Sequence, residues 1–290
     1  MQPLQWDYSP SGLRTPALVC AFKGWNDAGD AASSALTFFG ESLGASRFAS
    51  IDPEEFYDFQ NTRPQVKISD SDLRTIEWPN VEVFEAKVPR APRDLILMVG
   101  SEPSYRWRTF TNVVTDLADA MGVSLVVTLG ALLADVPHTR AISVTGFSSD
   151  SATSDRLGLA RSNYEGPTGI VGVLQHACHR AGVPSASLWA AVPHYIAATP
   201  NPKAALALVR KLEAMVEITV DASDLEGAVT DYEHQVDAAV QSDPEVEAFV
   251  ERLEQASDEG EEPDWELPSG DAIEQDLQRF LRQRGEDPPT

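Results

Sequence analysis

The sequence predicts an α/β protein, with a mixed, mainly parallel sheet sandwiched between helices and a small helical module at the C-terminal end. Over the first 220 residues, short apolar runs bounded by turn residues alternate with stretches of helical apolar spacing. This alternation is typical of parallel strands joined by crossover helices. Beyond residue 220 the apolar spacing is helical only. The 290 residues suffice for one large α/β domain or two ordinary ones.

The elements follow from the periodicity of the apolar residues. Continuous apolar runs predict covered strands at 17–22, 95–99, 123–129, 141–146 and 187–192. Apolar residues at three- and four-residue spacing predict helices at 28–43, 110–121, 169–181, 202–218, 225–240 and 245–255. Alternating residues at 66–69, 75–78 and 81–88 predict antiparallel or edge strands.

Charge divides the chain into two parts. The sequence holds 45 acidic and 22 basic residues, a net charge of −23, and residues 221–290 hold 22 of the acidic but only 4 of the basic ones. We therefore expect an α/β body over 1–220 and an acidic helical extension over 221–290. Residues 257–264 contain no apolar side chain, so a linker is expected near 257–268. A last helix is expected from Ala272 to Leu281, with Ser269 as its N-cap.

Composition also limits the partners and the compartment. Nucleic acid and anionic membrane surfaces reward clustered lysine and arginine, so neither is expected as a main partner of so acidic a chain. Two cysteines, Cys20 and Cys178, cannot form a disulfide framework, and the sequence shows neither a signal-peptide pattern nor an apolar run near 20 residues. A cytoplasmic protein is expected.

The loops that follow the apolar strands hold the candidate site. If those strands are parallel, their carboxyl ends share one edge of the sheet, where ligand sites gather in α/β proteins. Lys23 and Glu102 are expected at this edge of the sheet. Residues 166–169 lead into a helix whose free N–H groups can receive an anion. The candidate pocket residues are Gly24, Trp25, Asp27, Asp135, His138, Arg140, Glu165 and His194.

Each of these features also has a structural interpretation. Asp135, His138 and Arg140 form the most catalytic-looking cluster, yet a salt-bridged or capping loop explains them at least as well, since no GxSxG elbow is present. The glycines match neither GxGxxG nor a P-loop, so a tight turn and close packing are favoured. His176 and His179 lack a second ligand cluster. No catalytic residue, metal or cofactor is assigned.

Five ordered motifs carry a family resemblance: GWNDAG at 24–29, YDFQNTRP at 57–64, GALLADVPHTR at 130–140, YEGPTG at 164–169 and PHY at 193–195. Together they resemble the proteasome assembly chaperone 2 family, in an actinobacterial form with an acidic helical end. The resemblance implies a fold similar to purine nucleoside phosphorylases and a cytosolic, self-associating protein, with a homotrimer favoured. Relatives bind proteasome subunits, often through a C-terminal hydrophobic-tyrosine-X motif, which is missing from the EDPPT end at 286–290.

Two hypotheses about function remain. In the first, the chain is a non-catalytic, assembly-chaperone-like interaction protein with clients such as proteasome subunits. In the alternative, it is a phosphorylase- or hydrolase-like enzyme that binds a small anionic metabolite through Asp27, Asp135, His138, Arg140 and His194. Missing nucleophile and metal motifs favour the first. We further expect the body to self-associate, with the acidic extension at the periphery of the oligomer.

Overall fold

The structure, a computed structural model, describes residues 3–68, 74–148, 151–161, 164–196 and 200–259. The last predicted helix, at 272–281, and the predicted linker beyond residue 259 lie outside the described residues.

A nine-stranded sheet and a separate hairpin contain the strands of the described residues. The strands are β1 (Leu4–Trp6), β2 (Ala17–Lys23), β3 (Ser46–Ile51), β4 (Gln65–Ile68), β5 (Arg74–Glu77), β6 (Val81–Ala86), β7 (Leu95–Ser101), β8 (Leu125–Ala134), β9 (Val144–Ser148), β10 (Ala160–Arg161) and β11 (Ser185–Pro193). The order in the large sheet is β1-β3-β6-β7-β2-β8-β11-β9-β10, and β4 pairs only with β5.

The middle of the sheet is parallel and its flanks are mixed. Strands β7, β2, β8 and β11 pair in parallel, while β6 and β9 run antiparallel to them on either side. The first six residues of β2 are all buried, as expected for a strand covered on both faces. The predicted mixed, mainly parallel sheet is confirmed.

Helices cover both faces of the sheet. They are α1 (Ala31–Ser42), α2 (Trp107–Ala120), α3 (Ser151–Leu157), α4 (Ile170–Ala181), α5 (Pro202–Val216), α6 (Ser223–Gln241) and α7 (Pro244–Asp258). Helices α1 and α5 share one buried apolar cluster, and α2 and α4 share the cluster on the opposite face. Helix α6 packs on α5 and α7 packs on α6. In the described residues, no helix combines the length and apolar character needed to cross a membrane.

Strand β8 is longer than the sequence predicts. Residues 130–134, which the sequence assigns to a loop, continue the strand to Ala134 and pair with β11 as far as Pro193. The prediction is wrong because Gly130 was interpreted as the end of a strand. The glycine instead lies under the indole of Trp189, where an added Cβ would come within 2.5 Å of the ring.

Several other boundaries differ from the prediction. The sequence does not predict α3 or the short strands β1, β3 and β10, because each has too few residues for a clear apolar period. Strand β9 begins at Val144 rather than at residue 141. The first predicted helix opens with a 3-10 turn at Ala28–Asp30, since Asp30 has a left-handed φ of 50° that interrupts regular helix.

One edge of the sheet collects the loops that matter for function, and we call it the carboxyl edge. The parallel strands β7, β2, β8 and β11 end there. Strand β3 also ends there, since it is antiparallel to β6, which is antiparallel to β7. The whole connection 52–80, which contains the β4–β5 hairpin, therefore leaves the sheet at the carboxyl edge.

Candidate functional site

Glu102, at the end of β7, organises the first group of predicted site residues. Its Oε1 accepts hydrogen bonds from the Ile170 N–H at 2.8 Å and from Asn26 Nδ2 at 3.2 Å. Burial raises the pKa of Glu102, and hydrogen bonds from the backbone N–H groups of Ile170 and Trp25 oppose that rise. The first N–H of α4, which the sequence offered to an external anion, is thus paired with a carboxylate of the chain itself.

The glycines beside Glu102 allow close packing. Gly24 has a φ of +137°, and a Cβ there would lie 3.3 Å from the Cβ of Glu102. A Cβ on Gly169 would lie 2.1 Å from Nδ2 of Asn26. Both positions therefore require glycine for tight contact between the loop and the start of α4.

Asp27 stabilises the start of a helix. Its Oδ1 accepts hydrogen bonds from the backbone N–H groups of Ala32 at 2.7 Å and Ser33 at 3.2 Å, in the first turn of α1. The residue is buried, and this burial raises the pKa of its carboxyl. The Asp27 N–H in turn bonds to the Gly24 carbonyl, which closes the loop on itself.

His138 forms the centre of the second group and is only 4% exposed. Its backbone N–H donates to the Tyr195 hydroxyl at 2.7 Å, and the same hydroxyl lies 2.7 Å from Nδ1 of the His138 ring. The other ring nitrogen, Nε2, lies 3.0 Å from Oδ1 of Asp237 on α6 and donates to it, since a carboxylate only accepts. Both nitrogens of the imidazole are therefore engaged.

Arg140 connects the same loop to α7. Its Nε and Nη2 donate to the two carboxylate oxygens of Asp258 at 2.9 and 2.7 Å, and Nη1 lies 3.5 Å from Glu254. The Thr139 hydroxyl also donates to Glu254. The hydrogen bonds from Arg140 lower the pKa of Asp258. This bidentate geometry positions the end of α7 on the loop.

Asp135 belongs to neither of these contacts. Its Oδ1 lies 2.8 Å from Nδ1 of His194, and the ring of His194 meets that of Phe249 on α7 at 5.5 Å. Tyr195 meets the same Phe249 ring at 5.8 Å. Asp135, His138 and Arg140, interpreted from sequence as one catalytic-looking cluster, thus have three different partners.

The remaining predicted residues lie at the surface of the carboxyl edge. Glu165 is exposed in the loop before α4, and the indole of Trp25 is 47% exposed. Among the described residues, no three His, Cys, Asp or Glu side chains come close enough to hold a metal ion. Both cysteines are buried, and burial raises the pKa of Cys178 to about 12, which keeps it a thiol.

Of the exposed apolar surface at the carboxyl edge, the predicted pocket includes only Trp25. Among the described residues, nine large hydrophobic side chains are exposed, and all but Trp6 and Tyr8 belong to strand ends and connections that leave the sheet at this edge. We call these seven the edge apolar face: Trp25, Val66, Ile68, Ile76, Trp78, Tyr105 and Leu133. Exposed apolar side chains concentrated in one part of a fold are a feature of interaction sites.

The β4–β5 hairpin and Trp78, the residue just after it, contribute four of the seven residues of the edge apolar face. Val66 pairs with Ile76 across the strands and shares a face with Ile68, while Lys67 and Glu77 form an ion pair of 2.7 Å on the other face. All eight strand residues are exposed. A two-stranded hairpin is marginal alone, and an apolar face in water makes it a natural docking element. The alternation of apolar residues in 66–78 was the available sequence signal.

The fold defines the class of the protein, which is a three-layer α/β protein. The polar residues at its strand ends bind the chain's own helices, and its carboxyl edge presents apolar side chains to solvent. The model of the PAC2 family matches residues 21–240, and the chain belongs to that family. The family resemblance deduced from the motifs is confirmed.

Solved structures show the same fold. A PAC2 family protein from Streptomyces avermitilis is 46% identical. Its match covers 81% of this chain and 99% of that protein, with a TM-score of 0.76. A proteasome-assembly chaperone homologue from Mycobacterium tuberculosis is 42% identical over the same shares, with a TM-score of 0.73. A protein of unknown function from Corynebacterium glutamicum is 25% identical. Its match covers 89% of this chain and 98% of that protein, with a TM-score of 0.79. No curated protein matches the sequence.

Proposed function

We propose that this protein is a non-catalytic, assembly-chaperone-like protein that binds a protein client through the edge apolar face. The observation that carries the proposal is the presence of seven exposed apolar side chains in the segments that leave the carboxyl edge, four of them in or beside the β4–β5 hairpin. Large apolar side chains at the centre of an interface supply most of its binding free energy.

The polar residues of the same edge support this proposal over the enzyme hypothesis. An enzyme acting on an anionic metabolite would need the imidazole of His138 and the guanidinium of Arg140 to face a ligand. In the structure His138 bonds to Tyr195 and Asp237, and Arg140 bonds to Asp258. Asp27 and Glu102 likewise bond to the backbone at the starts of α1 and α4.

The proposed client is a proteasome subunit. The Mycobacterium tuberculosis relative is described as a proteasome-assembly chaperone homologue, and at 42% identity this chain presents the same fold. The proposed contact with this client is made by the edge apolar face.

Self-association in the cytoplasm completes the proposal. The body of 220 residues carries a net charge of only −5, against −18 for residues 221–290, so copies meet with least repulsion through the body. We favour a homotrimer with α6 and α7 at its periphery.

The test measures binding of purified, unassembled proteasome subunits to the full chain and to two hairpin variants. Val66→Ser with Ile76→Ser removes apolar surface from the edge apolar face and should weaken binding about tenfold or more, as loss of hot-spot residues does. The matched control, Lys67→Ser with Glu77→Ser, changes the opposite face of the same hairpin and should bind like the parent chain.

Two outcomes would contradict the proposal. Equal weakening by both pairs of substitutions would mean that the hairpin matters only for its fold. Phosphorolysis or hydrolysis of a nucleoside that is lost in His138→Ala, with the fold intact, would favour the enzyme hypothesis instead.

A further inference from the structure

We propose that the groove between α2 and α4 is a binding site for an acidic peptide segment, and that its occupant is the stretch at 261–266 of this chain. The two helices pack side by side on the sheet face opposite α1 and α5. Between them lies a cavity of about 700 Å³. The inference is independent of the proposed client-binding role.

The charge of this groove is opposite to that of the chain. Its charged lining side chains are Arg108 and Arg180, His176 and Asn112 also line it, and the described residues of the lining include no carboxylate. None of the ion pairs among the described residues involves either arginine. Two exposed guanidinium groups that have no ion pair among the described residues attract anions, although the protein as a whole carries a net charge of −23.

The shape of the groove favours a peptide over a metabolite. Small-molecule sites enclose most of their ligand, whereas this groove is open to solvent between two helices. Val173, Ala177 and Ala181 recur every four residues on α4 and form an apolar floor. Arg108 and Thr115 lie seven residues apart on α2, so the groove is about 10 Å long. Three extended residues span that length, so the groove holds about half of a six-residue stretch at one time.

The chain itself supplies a segment of matching chemistry. Residues 261–266, which lie outside the described residues, carry four carboxylates around Trp265. The carboxylates complement the two arginines, and the indole complements the apolar floor. The preceding C-terminal helices bind the body in the same way, since Asp258 pairs with Arg140 and Glu233 pairs with Lys203.

The experiment measures the fluorescence anisotropy of a labelled peptide with the sequence of residues 257–268, added to full-length chains. One chain carries Glu261→Gln, Glu262→Gln, Asp264→Asn and Glu266→Gln, which neutralise its own segment. This neutralised chain should bind the peptide more tightly than the parent chain, because its own segment no longer competes. Adding Arg108→Glu and Arg180→Glu to it should weaken binding about tenfold or more.

The matched control adds Arg156→Glu and Lys211→Glu to the neutralised chain. Both residues are exposed and outside the groove lining, so the same change of net charge should leave peptide affinity nearly unchanged. Equal affinity in the control and the groove variant would overturn the proposal, as would equal affinity in the parent and the neutralised chain. Thermal stabilisation by inorganic phosphate that depends on Arg108, without peptide binding, would assign the groove to a small anion and also overturn it.

Discussion

At the scale of single residues, the polar groups of the carboxyl edge act mainly as internal hydrogen-bond partners. Glu102 shows this most clearly, because one carboxylate oxygen joins the start of α4 to the loop after β2. Removing the acceptor of a buried donor lowers the free energy of unfolding more than removing the acceptor of an exposed donor, since water cannot replace the lost partner.

Replacement of Glu102 should therefore reduce stability. Glu102→Ala should lower the free energy of unfolding by about 2 kcal/mol, because it leaves the Ile170 N–H and the Asn26 amide without their acceptor. Glu102→Gln keeps an oxygen for these two donors and should cost less. Urea unfolding measures both losses, and a loss below about 0.5 kcal/mol for the alanine variant would contradict this role.

The stability of the parent chain relative to Glu102→Gln should also depend on pH. Burial raises the pKa of Glu102 in the folded state above its ordinary value of 4.5. A group of this kind contributes most stability below its unfolded pKa and loses that contribution as pH rises through its folded pKa. The free energy of unfolding of the parent minus that of the variant should fall as pH rises from 4 and then level off. A difference that rises with pH would contradict the assignment.

At the scale of elements, the loop after β8 is the docking site for the acidic helices. His138, Arg140 and Lys203 of the body each bind a carboxylate of α6 or α7, and Phe249 of α7 packs against Tyr195. Exposed ion pairs contribute little singly, so the attachment of α7 is modest and sensitive to salt.

Arg140→Ala should loosen α7 without unfolding the body. Loss of the bidentate pair with Asp258 should speed amide hydrogen exchange in Pro244–Asp258 by about two- to fivefold, as expected for an exposed ion pair. High salt should reduce the difference from the parent chain.

Arg210→Ala is the control for this variant. Arg210, on α5, also pairs with two carboxylates, that of Glu213 on the same helix and that of Glu226 on α6. Its removal should affect exchange in α6 and leave α7 nearly unchanged. Equal effects of the two substitutions on α7 would mean that Arg140 has no specific part in its docking.

At the scale of the whole molecule, acidic charge and buried apolar side chains are concentrated in different parts of the chain. The acidic charge is concentrated beyond residue 220, whereas most of the buried apolar side chains belong to the body. The apolar cluster of α6 and α7 is small, with Tyr232, Val236, Val240 and Val250 as its buried members. Assembly through the body and an acidic exterior is the arrangement that these distributions favour.

Truncation after Glu259 tests that arrangement. The truncated chain keeps the Asp258–Arg140 pair and should remain folded and oligomeric, since its body retains both large apolar clusters. Light scattering gives its mass. A folded monomer would show that residues 260–290 hold the oligomer together, which would contradict the placement of the contact in the body.

The sequence by itself determined the layered architecture and the family. Apolar runs and helical spacing are local signals, so β2, β7, β11, α4 and α5 were predicted to within a few residues. The shared edge of the parallel strands followed from their direction alone, and the order of five motifs identified the PAC2 family.

Only the tertiary structure decided what the site residues do. The partners of His138 and Arg140 lie 99 and 118 residues further along the chain, beyond the reach of any local pattern. The continuation of β8 through Gly130 depends on the ring of Trp189 that covers it. The exposure of Val66 and Ile76 depends on a hairpin that no other described strand joins. Local periodicity fixes which face of an element is apolar, but the contact that covers or exposes that face is set by residues distant in sequence.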